Sequence, residues 1–585
     1  MICHARGWNM KKCFLIIVPL FFLLIAKRCD CNAQNYGAFI MNQVDSLDNI
    51  SIQSYKEDKP QGKRLVLKVK DQKQFDEINS LISQGIDAGY KNIIIKLGKG
   101  VYTFTENHIR RKNEMHSDVS ITIEGNQSVI TSNQNSVVSD VSCGWLDVVQ
   151  LDKTIEVVDA NQKICRVPLL IKENRNVSEI TMIQIPQWYK APTYKVTKID
   201  RTGVYFIVPE LKYEDSYERK GYNVNMDYLY KGKYPRYRLF DKSKSCNFIA
   251  SKFIDIENCE YRNLTLKGIG FSGNKEGNEL ISISNVKTNQ ILIKDCYFEN
   301  IKGTVGYFAS TNNISINRNK IKKTDGDEFV FMRGCMKTRV TDNNFEDCGK
   351  GLRNTVCVKC VECDYYIANN TFVNFGYGAI GVGVWEGVTK NLYSGGIIEH
   401  NEAYYTPEYF ANGWQHNLMD SGVIYTWTQN DDVLIRYNYI HNYNGAADNR
   451  GIFCDDGASN IKIYGNIVIN TSNSYCIASR QVKDKRPDYQ NNSYNFMAYN
   501  IIDGAVCFMG YGLEERHCRK GANFILDNGQ NNVIRNKISD LEIEAPDIRI
   551  KGNLRGNQVV MSKKVTKQVK STIKDKFINA QIIYQ

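Results

Sequence analysis

At 585 residues the chain is longer than one ordinary hydrophobic core requires, and 42% of it is hydrophobic, which excludes a predominantly disordered chain. Its formal charge of +12 is concentrated partly at the two ends, and no basic patch is interleaved with aromatics, so a nucleic-acid binder is excluded while an acidic polymer remains open as a substrate. Thirty-five tyrosines suit a β-rich fold and suit sugar-stacking surfaces equally well.

In chain order, Lys11 and Lys12 precede an apolar run from Cys13 to Ala26, followed by Cys31-Asn32-Ala33. That order predicts an export signal over residues 1–33, with cleavage before Gln34; the run is short for a membrane span. Cys29 and Cys31 are candidate lipidation sites, although Ala26-Lys27-Arg28 is a poor preceding sequence. The expected location is therefore the periplasm, the cell surface or the medium, with outer-membrane or surface association as an open alternative. Residues 34–64 read as a polar lead-in. Over residues 65–139, Phe75, Ile78, Leu81, Ile82 and Ile86 recur at helical spacing and predict a helix capping an open β edge. Asn92–Leu97, Gly100–Phe104 and Ile121–Gly125 follow as strands.

Residues 140–245 alternate differently, as in Thr154–Val158 and Gly203–Val208, and predict an inserted antiparallel β module. From residue 246 to 555 a short signature recurs: Ile316…Asn319…Ile321, Val340…Asn343…Phe345 and Ile367…Asn370…Phe372. It returns as Ile435…Asn438…Ile440, Ile463…Asn466…Val468, Met497…Asn500…Ile502 and Val533…Asn536…Ile538. A fixed strand–turn–strand unit with variable connections predicts a parallel β-helix. Asn tolerates a left-handed turn, and its amide can bond the Asn of the next coil. Residues 556–585 read as a basic tail.

Fourteen of the 18 cysteines follow the leader. In Cys357-Val358-Lys359-Cys360-Val361-Glu362-Cys363 a zinc reading lacks a fourth ligand, so core cysteines or a local disulfide are expected. Strict alternation would put Cys357 and Cys363 on one face and Cys360 on the other.

The chemistry-bearing residues gather beside Gly378-Ala379-Ile380, Gly422-Val423-Ile424-Tyr425 and Gly451-Ile452-Phe453-Cys454. Asp420 precedes the second of these segments, and Asp455 and Asp456 end the third. Coils in a parallel stack lie about 4.8 Å apart, so acids on neighbouring coils can approach carboxylate-pair distance. Asp420, Asp455 and Asp456 are the catalytic candidates, against the plainer reading of Asp-Asp-Gly as a strand-ending turn. Trp385, Glu386, Trp414, His416, Trp427 and Arg480 are the substrate-binding candidates. Trp414 and His416 lie in a long connection, Glu402–Met419, whose aromatics serve either to stack on sugar or to pack the connection down. His416 and His441 are suited to hydrogen-bonding a hydroxyl or tuning an acid. Asp431 and Asp432 read as solvated; Asp325, Asp327 and Glu328 lack a complete cation-loop signature.

Asp420–Tyr425, Arg436–Asn442 and Gly451–Gly457 leading into Tyr464-Gly465-Asn466 resemble exported right-handed parallel β-helix glycoside hydrolases, a group with β-xylosidase, α-fucosidase and α-galactosidase families. The resemblance covers roughly residues 65–555 and implies an all-β, right-handed parallel β-helix with an inserted module. It also implies an acidic pair on the solenoid face acting on a poly- or oligosaccharide, with no cofactor. The alternatives are a polysaccharide lyase using a Lys or Arg base, drawn from Arg333, Arg353, Arg480 and Lys483 and often assisted by Ca2+, and a non-catalytic glycan-binding surface protein. Sugar, linkage and oligomeric state are left open.

Overall fold

The computed structural model describes residues 56–132, 145–148, 155–168, 177–184, 193–215, 220–222, 237–242, 252–383, 395–411, 421–427, 432–443, 450–455, 458–469 and 475–480, with short interruptions, and then short strands between residues 495 and 584. The chain is a right-handed parallel β-helix built on three long parallel sheets of 14, 12 and 13 strands. One coil visits the second sheet, then the first, then the third: Glu279–Ser284, Gln290–Lys294 and Tyr297–Ile301 are one such turn. The next coil repeats this in register, Ile291 opposite Ile314 and Phe298 opposite Ile321.

The step from the first sheet to the third takes two residues in every described coil that carries the Asn signature. Its first residue is left-handed: Arg318, Asp342, Asn369, His400, Tyr437 and Gly465 all have φ between 54° and 64°. The ladder Asn follows, so the left-handed position expected for Asn itself falls one residue earlier. The Asn is needed for its amide. Asn319 Nδ2 donates to Asn343 Oδ1 (3.0 Å), Asn343 to Asn370 (2.9 Å), and Asn370 to Asn401 (3.0 Å). The series continues through Asn438 and Asn466 to Asn500, each step 3.0 Å. Each Oδ1 also accepts the preceding Asn backbone N–H, as between Asn319 and Asn343 at 2.9 Å. Two backbone groups per turn, orphaned in a buried corner, are satisfied this way.

The rung at Asn401 is one that pattern matching skips, because its strand continues into Ala403 rather than a large aliphatic residue. The copy at Val533 departs from the rest. Val533–Arg535 pairs with Ala505–Met509 in the second sheet, and Asn536 lies outside the described residues.

Inside, aliphatic residues and stacked rings fill the coils; Phe271 lies 4.9 Å from Phe298, and Phe345 4.9 Å from Phe372. The N-terminal edge is covered by two helices, Gln72–Asp76 and Ile78–Asp87, which bury Phe75, Ile78 and Ile82. Asp71 caps the first through its side chain to the Gln74 N–H (2.9 Å). Arg64–Val69, at the boundary of the polar lead-in, forms the first strand of the first sheet, paired with Asn92–Leu97.

Between the coil ending at Ser128–Thr131 and the coil opening at Ile254–Glu257, seven strands from Trp145 to Asp241 form a separate antiparallel sheet with its own core around Val204, Phe206 and Ile183. At the far end, Leu554–Arg555, just before the basic tail, and Gln558–Met561 and Gln581–Tyr584 within it make a three-stranded sheet.

Candidate functional site

The two-residue ladder turn leaves no room for insertions, so length variation is confined to the connections on either side of the second sheet. The outer face of that sheet therefore carries the candidate site.

Strands of the second sheet do not alternate strictly. At their start two successive side chains enter the core, as Cys357-Val358, Ala379-Ile380, Val423-Ile424 and Cys476-Ile477 do. Regular alternation then resumes. This corrects the expectation for the cysteine cluster: Cys357 and Cys360 both point inward, and Cys363, after the left-handed Glu362, joins them. The ten cysteines whose side chains are described are all buried, and burial raises the thiol of Cys296 to about 12, the setting of inert core residues. No group of three or more metal-ligating side chains occurs among the described residues.

After the kink, Tyr425 and Trp427 project outward from Gly422–Trp427, and Phe453 and Asp455 from Arg450–Asp455. Register places Tyr425 opposite Phe453 and Trp427 opposite Asp455. The Tyr425 hydroxyl donates to Asp455 Oδ2. Tyr425 lies 4.4 Å from Trp427 and 5.7 Å from Tyr377 by ring centroid, and meets Phe453 edge-on at 4.9 Å. The Arg450 guanidinium sits 3.9 Å over the Phe453 ring. Gly381, opposite Tyr425, gives Trp427 its place: a Cβ there would come within 2.6 Å of the indole. Asp455 is 1% exposed, an acid held in a low-dielectric aromatic setting.

The sequence candidates divide as follows. Asp455 and Trp427 sit together on this face. Arg480 ends the strand Tyr475–Arg480 one residue beyond Ser479, the partner of Cys454, which gives it the backbone position next to Asp455 on the following coil. Asp420, Asp456, Trp385, Glu386, Trp414 and His416 lie outside the described residues. The glycine alignment needs a correction: Gly422 opposes Arg450, not Gly451. Five residues separate Gly422 from Trp427, about 17 Å of strand, so register sets Asp455 at the end of that strand remote from the Asp420 side.

The connection from Glu402 is also partly regular. Glu402–Tyr404 is a third-sheet strand and Pro407–Ala411 a short helix. Tyr405 and Tyr409 belong to the core, their hydroxyls donating to Gly376 O (3.3 Å) and Phe375 O (3.1 Å), so these two aromatics pack the connection down. His441 falls on the third sheet, away from Asp455. Glu328 is taken by Lys359 Nζ at 2.7 Å, and Asp432 is exposed. Missed by sequence reasoning were Tyr425, Tyr377, Phe453 and Arg450; the signal available was Tyr425 and Phe453 standing third after Gly422 and Arg450 on adjacent coils.

No protein-family model and no curated protein matches the chain. Solved structures that it resembles include one described as a glycoside hydrolase, at 8% identity over 83% of this chain and 97% of that one, TM-score 0.38. PfbA, a surface adhesin of Streptococcus pneumoniae, aligns at 10% identity over 84% of this chain and 93% of its own, TM-score 0.37. XylC in complex with xylose aligns at 10% over 81% and 86%, TM-score 0.41. The fold assignment itself rests on the strand register described above.

Proposed function

We propose that the chain is an exported glycoside hydrolase that cleaves a poly- or oligosaccharide on the outer face of its second sheet. The observation that carries this reading is the Asp455 carboxylate, oriented by the Tyr425 hydroxyl, with Trp427 opposite it in register and Phe453 two residues before it on the same face. A carboxylate fixed by a hydroxyl donor is suited to attack an anomeric carbon or to activate a water, and the surrounding rings, with Trp427 4% and Phe453 0% exposed, hold it in a dry setting rather than offering faces to a sugar. Glycoside hydrolysis needs a second carboxyl group to protonate the leaving oxygen; Asp456, next to Asp455 in the chain, is the nearer candidate, Asp420, towards the other end of the strand pair, the more remote one, and Arg480 is the proposed contact for a carboxylate or substrate. Trp385, Glu386, Trp414 and His416 are the proposed further sugar contacts. The apolar run Cys13–Ala26 supports export; among the described residues no helix is long and apolar enough to cross a membrane.

The test is release of new reducing ends, with ultraviolet absorbance followed in parallel, from a panel of neutral and acidic polysaccharides. Reducing ends without absorbance, lost in Asp455→Asn and strongly reduced in Tyr425→Phe, are expected. Absorbance from an unsaturated product would establish a lyase instead. Full activity in Asp455→Asn would assign that carboxylate a purely structural role.

A further inference from the structure

The third sheet has an outer face of its own, and its character changes along the solenoid. On the earlier coils it is charged and self-paired: Lys322 Nζ lies 2.8 Å from Glu346 Oε1, and Lys323 3.6 Å from Glu299. That is the ordinary solvated face of a parallel coil. Four coils on from Glu299, the outward positions become Glu402 and Tyr404, then Tyr439 and His441. Glu402 pairs in register with Tyr439, and Tyr404 with His441.

The His441 ring lies between the two tyrosines, 4.1 Å from Tyr439 at 19° and 4.7 Å from Tyr404 at 17°. Its Nε2 is 3.0 Å from Glu402 Oε1. The Glu402 side chain is 43% exposed and that of His441 14%. The Tyr439 phenol is pushed up to about 12, by burial first and then by the Glu402 charge, so it remains a donor at every ordinary pH. Three rings with fixed orientation and a hydrogen-bonded carboxylate thus stand together on a face whose earlier coils carry ion pairs with the single outward residues Tyr297 and Val373 among them.

We propose that Tyr404, Tyr439, His441 and Glu402 form a second glycan-binding site, separate from the Asp455 face, that holds one or two neutral sugar rings of a longer chain. The rings offer stacking surface, and the half-exposed Glu402 carboxylate offers an acceptor for a sugar hydroxyl. The carboxylate and the absence of a lysine or arginine at these four positions select a neutral sugar over an acidic one. A protein partner would need roughly 800 Å² on this side, far more than four side chains on two coils present. The proposal rests on the glycan-directed reading above, but on different residues and a different sheet.

The experiment is calorimetric titration of the full chain with xylohexaose and cellohexaose, with melting temperatures recorded for every variant. Binding weakened by roughly tenfold or more in Tyr439→Ala and in His441→Ala, and retained in Tyr439→Phe, is expected. Asp455→Asn should bind at this site as the parent does. Unchanged binding in both alanine variants, or no binding of either probe by the parent, overturns the proposal. Turnover lost in Asp455→Asn while the third-sheet variants bind normally would leave the hydrolase reading standing alone. The reverse pattern would leave only this site.

Discussion

Arg436 Nε lies 2.7 Å from Glu399 Oε2 across adjacent strands of the first sheet, and the two side chains are 6% and 3% exposed. The remaining Glu399 oxygen accepts from the Tyr366 hydroxyl at 2.7 Å, and Arg436 Nη1 reaches the Tyr464 hydroxyl at 3.0 Å. A buried pair this well satisfied is costly to half-remove and cheap to replace as a whole. Glu399→Leu alone should destabilise by about 3–5 kcal/mol, and Glu399→Leu with Arg436→Met by much less. Urea denaturation of the two single variants and the double variant, closed as a cycle, checks this.

The Asn ladder predicts an equally localised cost. Asn401 Oδ1 accepts the Asn370 N–H (3.1 Å) and Nδ2 (3.0 Å), while its own Nδ2 donates to Ile367 O (3.0 Å) and Asn438 Oδ1 (3.0 Å). Asn401→Ala strands donors and acceptors on two coils and should cost about 2–4 kcal/mol. Hydrogen exchange should show the loss first at the Asn370 and Asn438 turns, because coils couple chiefly to their neighbours.

Beneath the N-terminal helices, His108 stacks on Phe75 at 4.1 Å and lies near Phe253 at 5.7 Å. Burial pulls its pKa down to about 4 from 6.5, against a hydrogen bond to the Phe75 backbone and the Asp76 charge. The folded state therefore binds fewer protons than the unfolded chain between those values. Its contribution is full above about pH 6.5 and is lost as pH falls toward 4, amounting to about 3 kcal/mol at the acid end. The stability difference between the parent and His108→Leu, measured at pH 7.5 and pH 4.5, should move by about 2.5 kcal/mol in favour of the variant at the lower pH.

Gly381 makes a steric prediction about the candidate site. Gly381→Ala forces the Trp427 indole to move and should cost about 1–3 kcal/mol. Combining it with Trp427→Leu, which removes the obstructing ring, should recover part of the loss. If the Asp455 face is the active site, Gly381→Ala also lowers turnover more than its effect on melting temperature accounts for.

Much of the fold is legible in the sequence because the ladder turn is local: an Asn two residues before an aliphatic inward position repeats the same short-range requirement on coil after coil. The antiparallel module is legible for a similar reason, since Gly203–Ile207 alternates cleanly. What escapes is whatever depends on phase. Two inward side chains in succession at the start of second-sheet strands defeat a period-two reading of Cys357–Cys363 and shift Gly451 by one place against Gly422. Ala403 hides the Asn401 rung. At the site, Asp455 and Trp427 share a face because their strands end in register, whereas spacing counted from Gly422 and Gly451 left Asp455 and Asp456 both open. Tyr425 and Arg450 escaped because an outward aromatic and a core aromatic look alike until the kink fixes the phase. His441 is close to Asp455 in sequence, yet one strand exchange puts it on another side of the prism.

The antiparallel sheet leaves and re-enters the solenoid at consecutive rungs. Ile109–Lys112 pairs with Ile254–Glu257, Met115–Glu124 with Glu260–Lys267, and Ser128–Thr131 with Gly270–Ser272, as though the intervening residues did not exist. The module is thus a cassette plugged into a single corner of the coil. Its excision calls for a linker no longer than the other corners use, and a different domain grafted between those same two rungs would inherit an already closed core on both sides.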